Sequence, residues 1–197
     1  ETYVSEEKIT DGHQFLEFAS MYLDRVMENF EGPVYCAAYD LASTWDEQGL
    51  LELEELVLAM KLTRETRIAG IRTGKALLRM AGEMLGDSEL KSYYEKNKDS
   101  GTSYPVAFAI TCARFDIDKK EGLKALLFST INSLTQSAVK LIPLGNTEAQ
   151  SLLASLYPMM EECAEQSLNK GLGEIENFCP GLDIASMRHE ALPTRLY

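Results

Sequence analysis

Apolar residues recur at the helical period in every long segment of this chain, and no segment alternates apolar and polar residues as a half-buried strand does. In residues 11–29, for example, Phe15, Tyr22 and Val26 fall on one face of a helix. A chain of 197 residues is long enough for one good hydrophobic core and short for two. The pattern therefore predicts an all-α fold, a single compact helical bundle of roughly seven to ten helices that spans residues 1–197.

Glycine and proline indicate where helices end and where they pack closely. The tripeptide EGP at residues 31–33 is typical of one helix ending and another starting, because proline favours the first turn. Gly70 and Gly74 lie inside the helix predicted over residues 64–85, where two glycines cost about 2 kcal/mol relative to alanine. We expect a partner helix to cross closely at these glycines.

The composition is that of a globular protein, with 45% hydrophobic and 25% charged residues. No apolar run reaches the roughly 18 residues that a membrane-spanning helix needs, so we expect a soluble protein without a membrane partner. The formal charge of −12 is concentrated in residues 1–60, which hold 14 Asp and Glu against two Lys and Arg. Phosphate binding needs a basic surplus, so nucleic acid is not an expected partner.

Cysteine and histidine usage argues against a disulfide framework and against a metalloenzyme. The four cysteines form no CxxC or CxxxC pair, and the chain has only two histidines. We expect four free thiols and a cytoplasmic protein, with no metal site and no cofactor within one chain. One alternative stays open, in which Cys179 and His189 bind a soft metal such as nickel together with ligands from a second subunit.

Six basic residues crowd the stretch from residue 61 to residue 79, opposed only by Glu65. They are Lys61, Arg64, Arg67, Arg72, Lys75 and Arg79. All except Arg67 fall within an arc of about 80° on one helix face. Either this basic stripe faces the acidic amino-terminal helices or solvent, or it binds an acidic partner protein or a nucleotide phosphate. Phosphate is the weaker hypothesis, because no glycine-rich loop between a strand and a helix accompanies the stripe.

The helix predicted from Asp118 to Ile142 has an unusual polar side. Opposite its apolar core face, residues 129–139 carry small uncharged side chains and no Lys or Glu. A solvated helix face normally carries charge, so this one is typical of a hydrogen-bonded contact with another surface. That surface is either another helix of the same chain or a second subunit.

Catalytic motifs are missing from the sequence, which has no GxSxG, HExxH, GxxxxGK[ST] or GxGxxG. The one cluster that resembles a site is Arg188-His189-Glu190, although adjacent residues point to different helix faces. Ser186 and His189, three residues apart, are close enough to touch, but a chain end offers no pocket that excludes water. The cluster is a catalytic pair, a salt-bridged helix end or a docking surface. From about Cys179 onward we expect the chain to be mobile until a partner binds.

The carboxyl end carries the most specific motif. The run PGLDIASMRHE at residues 180–190, followed by TRLY at 194–197, resembles the carboxyl-terminal signature of the urease accessory protein UreF family. SYPVAFA at 103–109, AVKLIPLGNTEAQ at 138–150 and RETR at 64–67 are similar to internal motifs of that family, in the expected order. A full-length member carries a further segment ahead of the first residue, and this chain begins without Met. We therefore expect a fragment or a processed form.

The resemblance implies an all-helical, non-enzymatic protein that forms a homodimer. It would join the accessory protein UreD (also called UreH) and the GTPase UreG in loading nickel into apo-urease. The alternative is a GTPase-activating protein that supplies an arginine in trans to UreG.

Carried over residue by residue, the family's roles fall on three parts of this sequence. Residues 180–197 would dock UreD, the basic helix would face the GTPase, and the polar side of the helix over residues 118–142 would lie at the dimer contact. The partner-binding candidates are Asp183, Ser186, Arg188, His189, Glu190 and Arg195, together with Arg64, Arg67 and Arg72 on the basic helix. The dimer candidates are Ser133, Gln136, Ser137 and Lys140.

Overall fold

The computed structural model describes residues 1–190, which form helices and connecting segments without a β-strand. In chain order the elements are α1 (Thr2–Ser5), α2 (Gly12–Tyr22), a π-helix (Leu23–Glu31), α3 (Gly32–Ser43), α4 (Glu47–Met60), α5 (Arg64–Leu85), α6 (Ser88–Asn97), α7 (Tyr104–Arg114), α8 (Lys119–Leu141), α9 (Asn146–Ser155), α10 (Tyr157–Asn169), a 3₁₀ turn (Leu172–Glu174) and α11 (Pro180–His189). Ten α-helices in this part of the chain have ten or more residues, so the all-α prediction is confirmed. None of the described helices combines the length and hydropathy that crossing a membrane requires.

Aspartate side chains fix where several helices begin. Asp11 accepts a hydrogen bond from the backbone N–H of Gln14 at 2.9 Å, and Asp46 caps α4 in the same way. Asp87 and Asp118 each accept from two backbone N–H groups at the starts of α6 and α8. Such caps satisfy N–H groups that have no partner in the first helical turn and are typically worth about 1 kcal/mol each.

One continuous hydrophobic core joins the helices. α3 and α7 pack together at its centre, and α5, α8 and the π-helix surround them. Tyr35 and Tyr93 are the largest of the fully buried side chains. This packing holds α5 along one side of the core, with its first turns at the edge of the molecule where α11 lies.

The EGP tripeptide starts a new α-helix, as the sequence predicts, but the helical path before it is not interrupted. α2 widens into the π-helix, and α3 then begins with Pro33 in its first turn. Proline has no N–H, so carbonyl groups one turn earlier lack a donor within the helix. The backbone N–H of Glu176 donates to the Asn29 carbonyl at 2.9 Å, and Lys170 Nζ lies 3.4 Å from the Glu28 carbonyl. The segment that leads to α11 is thereby attached to this junction.

The close approach predicted at Gly74 is present, but the neighbour is a loop and not a helix. A β-carbon at Gly74 would overlap the backbone carbonyl of Thr102, just ahead of α7. At Gly70 a β-carbon would meet only Lys61 Nζ, at an ordinary distance of 3.7 Å. The expectation of a helix crossing at both glycines is therefore wrong. Bare backbone comes nearer to α5 than a second helix can, because side chains keep packed helix axes about 8–10 Å apart.

We expect Gly74→Ala to lower the free energy of unfolding by roughly 1–3 kcal/mol, because the new methyl group overlaps a fixed backbone carbonyl. Gly70→Ala is the matched control on the same helix, and it should raise that free energy by about 1 kcal/mol through helix propensity. Urea unfolding followed by circular dichroism measures both variants. Equal effects of the two substitutions would contradict the close approach at Gly74.

Candidate partner-binding surface

The carboxyl-terminal helix α11 lies across α1 and the start of α5. The Thr2 hydroxyl donates to the Ala185 carbonyl at 2.9 Å, and the hydroxyl oxygens of Thr63 and Ser186 are 3.0 Å apart. The first and the last described segments of the chain therefore meet at one surface. The expected mobility of the chain from Cys179 onward stays a prediction.

His189 ends α11 between two carboxylates from other parts of the chain. Its Nδ1 lies 2.8 Å from Glu65 Oε1 on α5, and its Nε2 contacts Glu1. The hydrogen bond to Glu1, and then the one to Glu65, raise the pKa of His189 above its ordinary value of 6.5. The adjacent Arg188 pairs with Glu6 at 2.6 Å. Of the three interpretations of this cluster, the structure shows the salt-bridged helix end.

Ser186 and His189 do not form a nucleophile and base pair. The Ser186 hydroxyl contacts Thr63, and both ring nitrogens of His189 face carboxylate oxygens. A catalytic base must direct a lone pair at the proton of its nucleophile. The catalytic interpretation of this cluster is therefore wrong for the geometry that the structure describes.

The basic stripe divides into a buried part and an exposed part. Lys61 is 8% exposed and pairs with the 9% exposed Glu31 at 2.8 Å, so it belongs to the core and not to a docking surface. Arg64 and Arg72 are exposed and line a surface groove of about 590 Å³ together with His189. The structure therefore agrees with the interpretation that the stripe faces an acidic amino-terminal residue or solvent, and binding of an acidic partner or a phosphate stays a prediction. Lys61 faces an acidic amino-terminal residue, whereas the two arginines face outward.

The structure brings most of the predicted partner-binding residues onto one surface, built by α11 and the first turns of α5. Asp183 is half-buried there, and burial raises the pKa of its carboxyl group above the ordinary value of 3.8. Glu190 lines the same groove as the two exposed arginines. Arg67 is half-buried and does not line the groove. Arg195 lies outside the described residues.

Sequence reasoning missed the apolar part of this surface. Ile184 and Met187 on α11 are 50% and 54% exposed, and Phe178, two residues ahead of the helix, is 79% exposed. Leu62, next to the start of α5, is 59% exposed. Neighbouring exposed apolar side chains mark interaction sites more often than scattered ones do. The available signal was that α11 places apolar residues all around its circumference, with Leu182 half-buried on the other side.

The polar side of α8 is partly exposed to solvent. Ser133, Gln136 and Lys140 are exposed, and Ser137 is half-buried with its hydroxyl donating to the Ser133 carbonyl at 3.0 Å. The amino-terminal end of this side meets the same chain, where the Ser129 hydroxyl lies 3.2 Å from the Tyr104 hydroxyl. Ser133 lines a cavity that residues of α5 and α11 also line. The intrachain alternative therefore explains part of the polar side, and the contact with a second subunit stays a prediction.

The thiols and the acidic residues form no metal centre in the described part of the chain. All four cysteines are free, and three of them are buried. Cys179 Sγ lies 3.9 Å from Met21 Sδ, and burial raises the pKa of this thiol, which disfavours the thiolate that a metal needs. Within residues 1–190 no group of three or more His, Cys, Asp or Glu residues is arranged to hold a metal ion.

The fold is that of an all-helical protein. Most of its predicted partner-binding residues lie on α11 and on the first turns of α5, at the surface. A family model described as UreF matches residues 9–157. The chain is 34% identical over 200 residues to the urease accessory protein UreF of Sporosarcina pasteurii, a match covering 100% of this chain and 98% of that protein. It is 30% identical over 199 residues to the urease accessory protein UreF of Bacillus sp. (strain TB-90), covering 100% and 88%. The chain therefore belongs to the UreF family of urease accessory proteins, and the resemblance seen in the sequence is confirmed.

The buried ion pair below the surface gives a direct test of the fold. We expect Lys61→Met to lower the free energy of unfolding by roughly 3–5 kcal/mol, because Glu31 then stays buried without its partner. The double variant Lys61→Met with Glu31→Leu removes both charges and should recover most of that loss. Denaturant unfolding of the single and double variants measures this. A double variant as unstable as the single one would show that the pair itself, and not the unpaired carboxylate, determines stability.

Proposed function

We propose that this chain is a non-enzymatic scaffold that acts in the cytoplasm as a homodimer. It joins the accessory protein UreD (also called UreH) to the GTPase UreG during nickel insertion into apo-urease. Membership of the UreF family supports this proposal, since both relatives are urease accessory proteins by name. The family implies work with other urease accessory proteins, and the choice of these partners is part of the proposal.

The convergence of two separate sequence motifs on one surface carries the proposal. The run PGLDIASMRHE forms α11, the RETR motif forms the first turn of α5, and the contact of His189 with Glu65 joins them. Exposed apolar side chains and exposed charged side chains both lie on the joined surface. A mixture of apolar and charged residues is the usual composition of a protein–protein interface.

Each side of this surface suits a different partner. On α11, the exposed Ile184 and Met187 offer the apolar anchors that dominate binding energy, and we assign this side to UreD. Its polar rim consists of Asp183, Ser186, Arg188, His189, Glu190 and, from the sequence alone, Arg195. On α5, the exposed Arg64 and Arg72, with Arg67 beside them, suit an acidic surface of the GTPase.

Two double variants test the two sides separately by co-purification with the partner proteins. Ile184→Asp with Met187→Asp should abolish retention of UreD, because it places charge in the apolar anchor positions. Arg64→Glu with Arg72→Glu should weaken retention of the GTPase by about tenfold or more while UreD is still bound. Arg79→Glu, an exposed arginine two turns beyond Arg72 on the same helix, is the control and should leave both partners bound.

Retention of both partners by both double variants would contradict this assignment of partners to the two sides.

The alternative function, an arginine supplied in trans to the GTPase, is distinguished by single-turnover GTP hydrolysis. There, one Arg→Ala change that leaves binding intact would lower the rate by roughly a hundredfold or more. The exposed arginines Arg64 and Arg72 are the residues to change first, because the described structure gives neither an ion-pair partner.

The exposed residues on the polar side of α8 support the homodimer. The chain carries a formal charge of −12, so two copies repel each other over most of their surfaces. Residues 129–140 contain no carboxylate, and their small side chains allow two helices to approach closely. A second copy is therefore the occupant that this face suits best.

Ser133→Glu with Gln136→Glu should raise the dimer dissociation constant by about tenfold or more, because like charges then face each other across the contact. Ser151→Glu, an exposed serine on α9, adds charge elsewhere and is the control. Analytical ultracentrifugation over a range of concentrations measures the constant. An unchanged dimer in the first variant would place the contact on another face.

A further inference from the structure

Only one protonation state of His189 satisfies both of its contacts. Nδ1 lies 2.8 Å from the Glu65 carboxylate, and Nε2 contacts the Glu1 carboxylate. A neutral imidazole has one N–H donor and one lone pair, so one of the two carboxylates would then face a lone pair. An imidazolium ion donates to both. The geometry therefore selects the protonated ring.

We propose that His189 is a protonation-dependent latch, which holds α11 on α1 and α5 while the ring is charged and releases the helix when the ring gives its proton to solvent.

The other contacts that the structure describes for α11 are weaker than those of His189. None of its residues is fully buried, and its apolar residues Leu182 and Ala185 are only half-buried. The hydroxyl contacts of Thr2 and Ser186 are single hydrogen bonds between neutral groups. The pair of Arg188 with Glu6 is largely exposed to solvent and therefore weak. His189 makes the only charged contacts of the described helix that are mostly shielded from water.

The charged groups around the ring favour the protonated form. The amino-terminal segment contributes Glu1 and, through Arg188, Glu6, and α5 contributes Glu65 with Arg64 and Arg72 in the same groove. From its own helix the ring has Arg188 and Glu190 as neighbours. The two carboxylates in direct contact outweigh the arginines, whose side chains extend toward solvent. The pKa of His189 is accordingly raised.

Because the pKa of His189 is raised, the direction in which docking of α11 depends on pH is fixed. A group whose pKa is higher in the docked state stabilises docking fully below its ordinary pKa, and that stabilisation is lost as the pH rises through the raised value. Docking of α11 is therefore strongest below the ordinary value of 6.5. Between the ordinary pKa of 6.5 and the raised pKa of His189, the equilibrium constant for docking of α11 falls by up to about tenfold per pH unit.

Two measurements on the full chain test the latch. Proton and carbon NMR of the histidine rings measures the titration of His189. Hydrogen exchange of the α11 amides at pH 6, 7, 8 and 9, corrected for intrinsic exchange, measures docking. His189→Gln removes the latch, His13→Gln is the matched control, and Glu65→Gln removes one of the two carboxylate partners.

We expect the pKa of His189 to lie above its ordinary value of 6.5 and the protection of α11 to fall with rising pH. In His189→Gln, protection should be low and independent of pH, while His13→Gln behaves like the parent. Glu65→Gln should move the fall to lower pH. The proposal is overturned if the pKa of His189 is at or below the ordinary value of 6.5, or if α11 protection in His189→Gln matches the parent at every pH. No partner protein takes part, so the latch stands or fails independently of the proposed function.

Discussion

The buried ion pair of Glu31 and Lys61 fixes where the whole surface forms. Both residues are less than a tenth exposed, and the Lys61 ammonium also lies 5.9 Å from the centre of the Phe30 ring. A buried charge is tolerated only beside its counter-charge, so the end of the π-helix and the link between α4 and α5 must stay together. Thr63 and Glu65, which hold α11, follow within four residues of Lys61. The position of the carboxyl-terminal helix is thus set by a contact that it does not make itself.

Much of the fold was predictable because helical periodicity is a local property. The close approach at Gly74 was also predictable, since glycine inside a helix is unfavourable unless a neighbour excludes a side chain. The kind of neighbour was not, because the Thr102 loop is distant in sequence and carries no signal of its path. Nor was the separation of Lys61 from Arg64 and Arg72 predictable. The predicted common helix face is wrong for Lys61, which lies in the extended link between α4 and α5, whereas Arg64 and Arg72 are on α5. Its burial depends on the position of Glu31.

The candidate site, like the fold, was predictable from the sequence only in part. The sequence singled out His189 and correctly offered a salt-bridged helix end among the interpretations, because charged residues cluster there. It left the partners undetermined, since Glu1 and Glu65 are 188 and 124 residues away and the chain holds 31 acidic residues. The exposed apolar side chains of α11 were missed for a different reason. Apolar periodicity is normally assigned to the core, and exposure depends on how much of a helix its neighbours cover.

Pro33 shows how a residue usually regarded as a helix breaker serves as an attachment point. Its missing N–H leaves acceptors at Glu28 and Asn29, and the segment at Lys170 and Glu176 occupies them. An engineer who regularised this helix by replacing Pro33 would restore an internal donor that competes for those carbonyls. That substitution would weaken the attachment of the segment at Lys170 and Glu176, more than 130 positions away in the sequence. Apparent imperfections in a helical scaffold of this kind are therefore poor targets for stabilising redesign.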